Sequence, residues 1–320
     1  MAKEMIWSYL VHLGQCMWGD YEPGDGGYCV NKEPLVFEQP VWAEVSNKLK
    51  ADGCCNTILI DLGEGLQYES HPEIVVPGAW SKKRLADEIS RLRSMGFKVY
   101  PKLNFSAAHD KWMGIYSRML STPYYYTFCK DIIDEVSELF SNPELFHLGL
   151  DEECLSTQTE MAICVIRNHD LLWHDINYLF KAVEEKGARP WIWADYVWHT
   201  RRSEEDFLKH MPKEALCSNW YYGNWEHTSG FWVDSMRGYT ALEEHGYDQL
   251  PTGSNCNRIV EYCEDNMKIT VEKCSEIVAP ERLKGFMMAP WEMTTTEMKQ
   301  RLIDGVDDLT NAYKFYNSKY

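Results

Sequence analysis

Eight short apolar runs, each followed by a segment of helical periodicity, constrain this chain more than any other feature. The runs are Met5–Leu10, Thr57–Asp61, Lys98–Asn104, Leu145–Leu150, Arg189–Ala194, Ala215–Trp220, Tyr247–Gly253 and Gly285–Pro290. Helices are predicted near Pro40–Ala51, Ser81–Met95, Tyr125–Phe140, Ile166–Lys186, Glu204–His210, Asp234–His245, Arg258–Cys274 and Thr295–Tyr313. Glycines at Gly96 and Gly187 supply stop signals for two of them. Alternation of this kind implies parallel strands joined by crossover helices, and eight such units close a barrel. The expected fold is therefore α/β, a single (β/α)8 TIM barrel formed by residues 1–320. An open doubly wound sheet is the rival, but no Gly-x-Gly-x-x-Gly follows the first run to support it.

Charge and composition exclude several classes of partner. The net charge of −17 repels phosphate backbones and anionic headgroups, so neither nucleic acid nor membrane is expected. No apolar run approaches the roughly 20 residues needed to span a bilayer. The start, MAKEMIWSYLVHLG, reads as a first strand and not as a signal peptide, and both cytoplasm and export stay open. The eleven cysteines form no Cys-x-x-Cys pair, which predicts reduced and mostly buried thiols. No Cys/His cluster has metal-ligand spacing, so no metal and no cofactor are expected.

Active sites of (β/α)8 barrels lie at the carboxyl ends of the strands. The residues at those ends here are largely carboxylates, amides and aromatics. Asp61 and Glu64 follow the second run, Asn104 ends the third, and Asp151, Glu152 and Glu153 follow the fourth. Trp193, Asp195 and Tyr196 end the fifth, Asn219, Trp220, Tyr221 and Tyr222 the sixth, and Trp291 and Glu292 the eighth. An acid after a strand is by itself an ordinary cap for the next helix. The set together points to a site.

Aromatic faces stack on the C–H faces of sugar rings, whereas carboxylates and amides bind hydroxyls. A rim with Trp193, Trp220, Tyr221 and Trp291 among acids, and few Arg or Lys, suits a neutral carbohydrate. Glycosidic hydrolysis needs an acid to protonate the leaving oxygen, and a neighbouring carboxylate keeps such an acid protonated. Asp151-Glu152 supplies that pair, provided the strand bends there, because adjacent residues of an extended chain point opposite ways. His147 is read as a buried, hydrogen-bonded histidine of the barrel strand.

The segment FHLGLDEE at 146–153 resembles the His-x-Gly-Gly-Asp-Glu signature of glycoside hydrolase family 20, the β-N-acetylhexosaminidases. His147, Gly149, Asp151 and Glu152 fall in register, with Leu150 in place of the second glycine. WIWAD (191–195), SNWYYGN (218–224) and APWE (289–292) resemble the family's later segments, the last with one residue fewer between Trp291 and Glu292. The resemblance implies that Glu152 protonates the glycosidic oxygen and that Asp151 orients the substrate's 2-acetamido group. The acetamido oxygen would attack the anomeric carbon while Tyr221 hydrogen-bonds it. Glu64, Asn104, Trp193, Asp195, Trp220, Trp291 and Glu292 would bind the sugar. The first strand, IWSYLVHLG, lacks the Arg that holds sugar hydroxyls in the family, and His12 is the nearest polar residue. No counterpart of the family's usual N-terminal accessory domain is found in these residues.

Three other readings stay open at this stage. A retaining two-carboxylate glycosidase would use Glu152 as acid with Glu292 or Asp195 as nucleophile. An inactive barrel would bind carbohydrate without cleaving it. A metal-dependent hydrolase would need His147, Asp151 and Glu153 to share an ion. The stretches Gly14–Gln39 and Tyr221–Asp234, rich in glycine and aromatics, are expected to shape the cleft, and the oligomeric state is left open.

Overall fold

The computed structural model of the chain describes residues 4–14, 34–154, 158, 165–226, 231–256 and 263–320. The expected cleft stretch at 14–39 lies mostly outside them, as do 227–230 of the second stretch, 258–262 of the predicted seventh helix, and Cys16, Cys29 and Cys164. The strands are β1 (Ile6–His12), β2 (Thr57–Asp61), β3 (Lys98–Lys102), β4 (Leu145–His147), β5 (Arg189–Trp193), β6 (Leu216–Ser218), β7 (Asp248–Gln249), β8 (Thr252–Gly253) and β9 (Gly285–Met288). The helices between and after them are α1 (Gln39–Asp52), α2 (Lys82–Ser94), α3 (Pro123–Leu139), α4 (His169–Glu184), α5 (Arg201–His210), α6 (Phe231–Glu244), α7 (Asn266–Ile277) and α8 (Lys299–Lys319).

Every strand pair is parallel, and the order runs β7-β6-β5-β4-β3-β2-β1-β9-β8. The two ends of that order, β7 and β8, are halves of the one predicted run Tyr247–Gly253. Pro251 divides them, because it has no N–H to donate to a ladder. The run bonds to the sixth strand through Leu250 N–H to Cys217 O, and to the last through Met287 N–H to Pro251 O. The sheet therefore closes into the predicted (β/α)8 barrel. No reversal of strand order, the mark of a doubly wound sheet, occurs.

Period-two alternation sorts the strand residues. Leu10, Leu59, Tyr100, Leu145, Trp191, Leu216, Leu250 and Met287 pack inside the barrel. Val11, Ile58, Val99, Phe146, Ile192, Cys217 and Phe286 face outward and bury against the helices. Toward the carboxyl ends the inward positions turn polar. His12 Nδ1 donates to Asp61 Oδ2 at 3.1 Å, and Lys102 Nζ to the same oxygen at 2.7 Å. Burial disfavours a charge on Asp61, but Lys102 and His12 outweigh it and hold the carboxyl low.

Two predicted boundaries shift for local reasons. The fourth run ends at His147, three residues earlier than expected, because Gly149 and Leu150 have positive φ (70° and 72°) and turn the chain out of the sheet. Helix α5 begins earlier than expected, at Arg201, because Thr200 and Ser203 form a reciprocal cap. Among the described residues no helix is long and apolar enough to cross a membrane. The described cysteines are free thiols, all but Cys263 buried.

Candidate active site

The turn after β4 builds the centre of the site. Gly149, Leu150 and Glu152 all have positive φ (70°, 72° and 56°), so Asp151 and Glu152 leave the alternation of an extended strand. Non-glycine residues pay for such conformations, typically about 1–3 kcal/mol each, and strain of this kind collects at functional sites. Glycine is required at 149 for space as well. A Cβ there would lie 2.0 Å from Asn104 Oδ1. That amide oxygen instead accepts from Ser106 N–H at 3.0 Å, and its Nδ2 donates to Asp151 Oδ1 at 2.8 Å. Ser106 Oγ also donates to the Asp151 carbonyl, at 2.5 Å.

His109, from the loop after β3, faces both acids. Its Nε2 lies 3.1 Å from Glu152 Oε2 and 3.4 Å from Asp151 Oδ2. Burial works against a charge on this ring, but the two carboxyls outweigh it and push its pKa up to about 9. Glu152 is pushed up from the usual carboxyl value, first by burial and then by Asp151 and Asp195, with His109 opposing. His109 therefore stands as a cation, and the Glu152 carboxyl holds its proton to higher pH than an ordinary glutamate does.

Asp195, at the end of β5, holds Glu152 from behind. The amide N–H of Glu152 donates to Asp195 Oδ2 at 2.8 Å, and His199 Nε2 donates to the same oxygen at 2.8 Å. The third acid of the run, Glu153, turns away from the cleft. It accepts from Ala107 N–H at 2.9 Å and pairs with Arg167, which also reaches Asp175 Oδ2 at 3.1 Å. Tyr126 and Ser121 hydroxyls complete the Asp175 carboxylate, each at 2.6 Å. This network, buried at Glu153, Arg167 and Asp175 and half-buried at Ser121 and Tyr126, anchors the turn from below.

An aromatic wall stands across the mouth. Trp193 lies 5.7 Å from Trp291, and Trp291 Nε1 donates to Tyr222 Oη at 2.9 Å. Tyr222 stacks on Trp220 at 5.3 Å. Trp291 takes a positive φ (54°), which turns its ring toward His12, 5.3 Å away.

The model of "Glycosyl hydrolase family 20, catalytic domain" matches residues 72–247, more than half of the chain. The chain belongs to glycosyl hydrolase family 20. Solved structures of the same fold include the β-N-acetylhexosaminidase of Bacteroides fragilis, at 14% identity over 93% of this chain and 64% of that one, TM-score 0.61. The exo β-N-acetylglucosaminidase of Vibrio harveyi, solved with N-acetylglucosamine, is 11% identical over 96% of this chain and 54% of that one, TM-score 0.63. The pneumococcal virulence factor StrH is 14% identical over 98% of this chain and 84% of that one, TM-score 0.66. This chain thus spans less than two thirds of the Bacteroides and Vibrio proteins. No curated protein matches its sequence.

In this family 20 barrel Asp151, Glu152, Asn104, Asp195, Trp193, Trp220 and Trp291 gather at one mouth. Glu64 sits on the turn after β2 against the end of β1; a Cβ on Gly14 would come within 2.9 Å of its Oε2. Glu292 follows Trp291 and is buried. Tyr221 lies elsewhere. Leu216, Ser218, Trp220 and Tyr222 point inward, so Tyr221 points outward, against Trp225 and Trp232 at 5.6 and 5.7 Å. Its hydroxyl folds over Gly223, where a Cβ would lie 2.2 Å from it. Alternation from Leu216 would have selected Tyr222 from sequence. His147 accepts from Gly149 N–H at 3.0 Å, and burial keeps its ring well below the usual histidine range. His109, His199 and Arg167 carried no sequence signal beyond lying near strand ends or helix starts.

Proposed function

We propose that this family 20 chain hydrolyses β-linked N-acetylhexosaminides by a substrate-assisted, retaining route. The observation that supports the reading is the Glu152 carboxyl 3.1 Å from the His109 cation and beside Asp151, its pKa pushed up from the usual carboxyl value first by burial. Glu152 gives its proton to the glycosidic oxygen as the C–O bond breaks. The substrate's acetamido oxygen forms the new bond to the anomeric carbon, with Asp151 accepting from the acetamido N–H. Water then attacks the anomeric carbon from the face the leaving group left and displaces the acetamido oxygen, giving a proton to Glu152, so the configuration is retained.

On this reading Tyr222 hydrogen-bonds the acetamido oxygen, in the role that the family resemblance would give to Tyr221. Tyr222 shares the mouth with Trp291, and the nearby charges of Asp151 and Asp195 contribute to raising its pKa, after the dominant effect of burial. Asp195 acts on this reading as a positioning residue, because its Oδ2 accepts from the Glu152 amide and His199. The aromatic wall of Trp193, Trp220 and Trp291 suits the apolar faces of the sugar and its acetamido methyl group.

The test is hydrolysis of p-nitrophenyl N-acetyl-β-glucosaminide and N-acetyl-β-galactosaminide, beside the plain glucoside and galactoside. Wild type should cleave only the N-acetyl substrates, and Glu152→Gln should lower kcat by about 10²–10⁴-fold. Cleavage of the plain glycosides would instead require a protein nucleophile.

A further inference from the structure

The aromatic wall uses only the ring of Trp291, yet the indole N–H of this residue is directed at a protein atom. Trp291 Nε1 lies 2.9 Å from Tyr222 Oη, and because an indole nitrogen can only donate, the phenol oxygen is the acceptor. An oxygen that accepts on one side keeps its own proton for a partner on another. Tyr222 is 4% exposed, and among the described residues that proton meets no acceptor. A buried donor left unpaired is costly, and a ligand that brings an acceptor relieves the cost.

We propose that Trp291 is a positioning residue, whose indole N–H fixes the Tyr222 hydroxyl so that the phenol proton faces the acetamido oxygen of the substrate. The inference rests on the substrate-assisted reading above. Both rings are held. Tyr222 stacks on Trp220, 5.3 Å away with 20° between the planes, which restrains the phenol from swinging. Trp291 takes φ 54°, a conformation that a bulky residue keeps only where its surroundings impose it. Its ring lies 5.3 Å from His12 and 5.7 Å from Trp193.

His12 is itself fixed, with Nδ1 on Asp61 Oδ2, the oxygen that also accepts from Lys102 Nζ. The main chain ties the two segments together as well. Met293 pairs in parallel with His12, and Thr294 Oγ1 donates to the His12 carbonyl at 3.4 Å. The hydrolytic steps leave the buried series Lys102, Asp61 and His12 without a role. In this arrangement the series ends on the indole that sets the phenol. A phenol proton held in one direction keeps the acetamido group from rotating away from the anomeric carbon, so the gain falls on the bond-forming step.

The experiment is a double-mutant cycle on p-nitrophenyl N-acetyl-β-glucosaminide, using the full chain with Trp291→Phe, Tyr222→Phe and both together. Trp291→Phe keeps an aromatic ring in the wall and removes the N–H. It should lower kcat by about 10–100-fold, with a smaller change in KM. The double variant should be no slower than Tyr222→Phe alone, because the two residues act as a unit. Trp291→His, which keeps a ring N–H, should recover part of the lost kcat. Independent losses that multiply in the double variant would overturn the proposal, as would a Trp291→Phe effect confined to KM. The same cycle read as N-acetylglucosamine affinity by titration calorimetry needs no turnover. Coupled losses of affinity in a protein that cleaves nothing would uphold the positioning role and sink the hydrolytic reading. Hydrolysis by wild type with uncoupled variants would do the reverse, and a wild type that neither cleaves nor binds the sugar would overturn both.

Discussion

Glu152 donates its backbone N–H to Asp195 Oδ2 at 2.8 Å, which ties the end of the fourth strand to the end of the fifth through the residue proposed as general acid. The carboxyl of Glu152 is thus aimed by a bond to its own main chain, at a residue whose φ is 56°.

Asp195→Asn should therefore misplace the acid without unfolding the barrel. We expect kcat to fall by about 10²-fold, as for other small displacements of reacting groups, with KM little changed. Asp195 also raises the Glu152 pKa. Its removal should move the basic limb of the pH profile to lower pH, and the kcat profile measures both effects.

His109→Asn should move that limb the other way. His109 opposes the rise of the Glu152 pKa, so without it the acid keeps its proton to higher pH. Stability gives an independent check. The folded pKa of His109, about 9, lies above its ordinary 6.5. The stabilisation is therefore complete below pH 6.5 and lost as pH rises toward 9. Wild type should lose thermal stability across that window, and the variant should lose less.

Tyr222→Phe and Tyr221→Phe separate two adjacent residues by function. Loss of a hydrogen bond to the developing acetamido charge should cost Tyr222→Phe about 10²-fold in kcat on N-acetyl substrates. Tyr221→Phe should cost about 1 kcal/mol of stability and little activity. The reverse pattern would return the role to Tyr221.

Arg167→Met should be the most destabilising of these changes. It leaves Glu153 and Asp175 as buried carboxylates without their cation, at about 3–5 kcal/mol, measurable by urea unfolding.

The barrel was legible in the chain because strand burial repeats every two residues and helix burial every 3.6, and both patterns are local. The split seventh strand could be read afterwards in the same terms, from a single Pro251. The Asp151-Glu152 pair stood out for a related reason, since it follows an apolar strand in a motif of fixed spacing. The inward position of Tyr222 was within reach too, by alternation from Leu216.

Other features depend on contacts between loops far apart in sequence. His109 meets Glu152 across two βα loops, Asp195 meets its amide from the next strand, and Arg167 pairs with Glu153 from the far side of a loop. Hydrophobic periodicity carries no information about such partners. The sequence determined the barrel, the mouth at which the acids collect and the pair that leads them. Tertiary structure alone decided which partners hold each acid and that the Glu152 carboxyl is pushed up, because that depends on burial and on charges brought close only by folding.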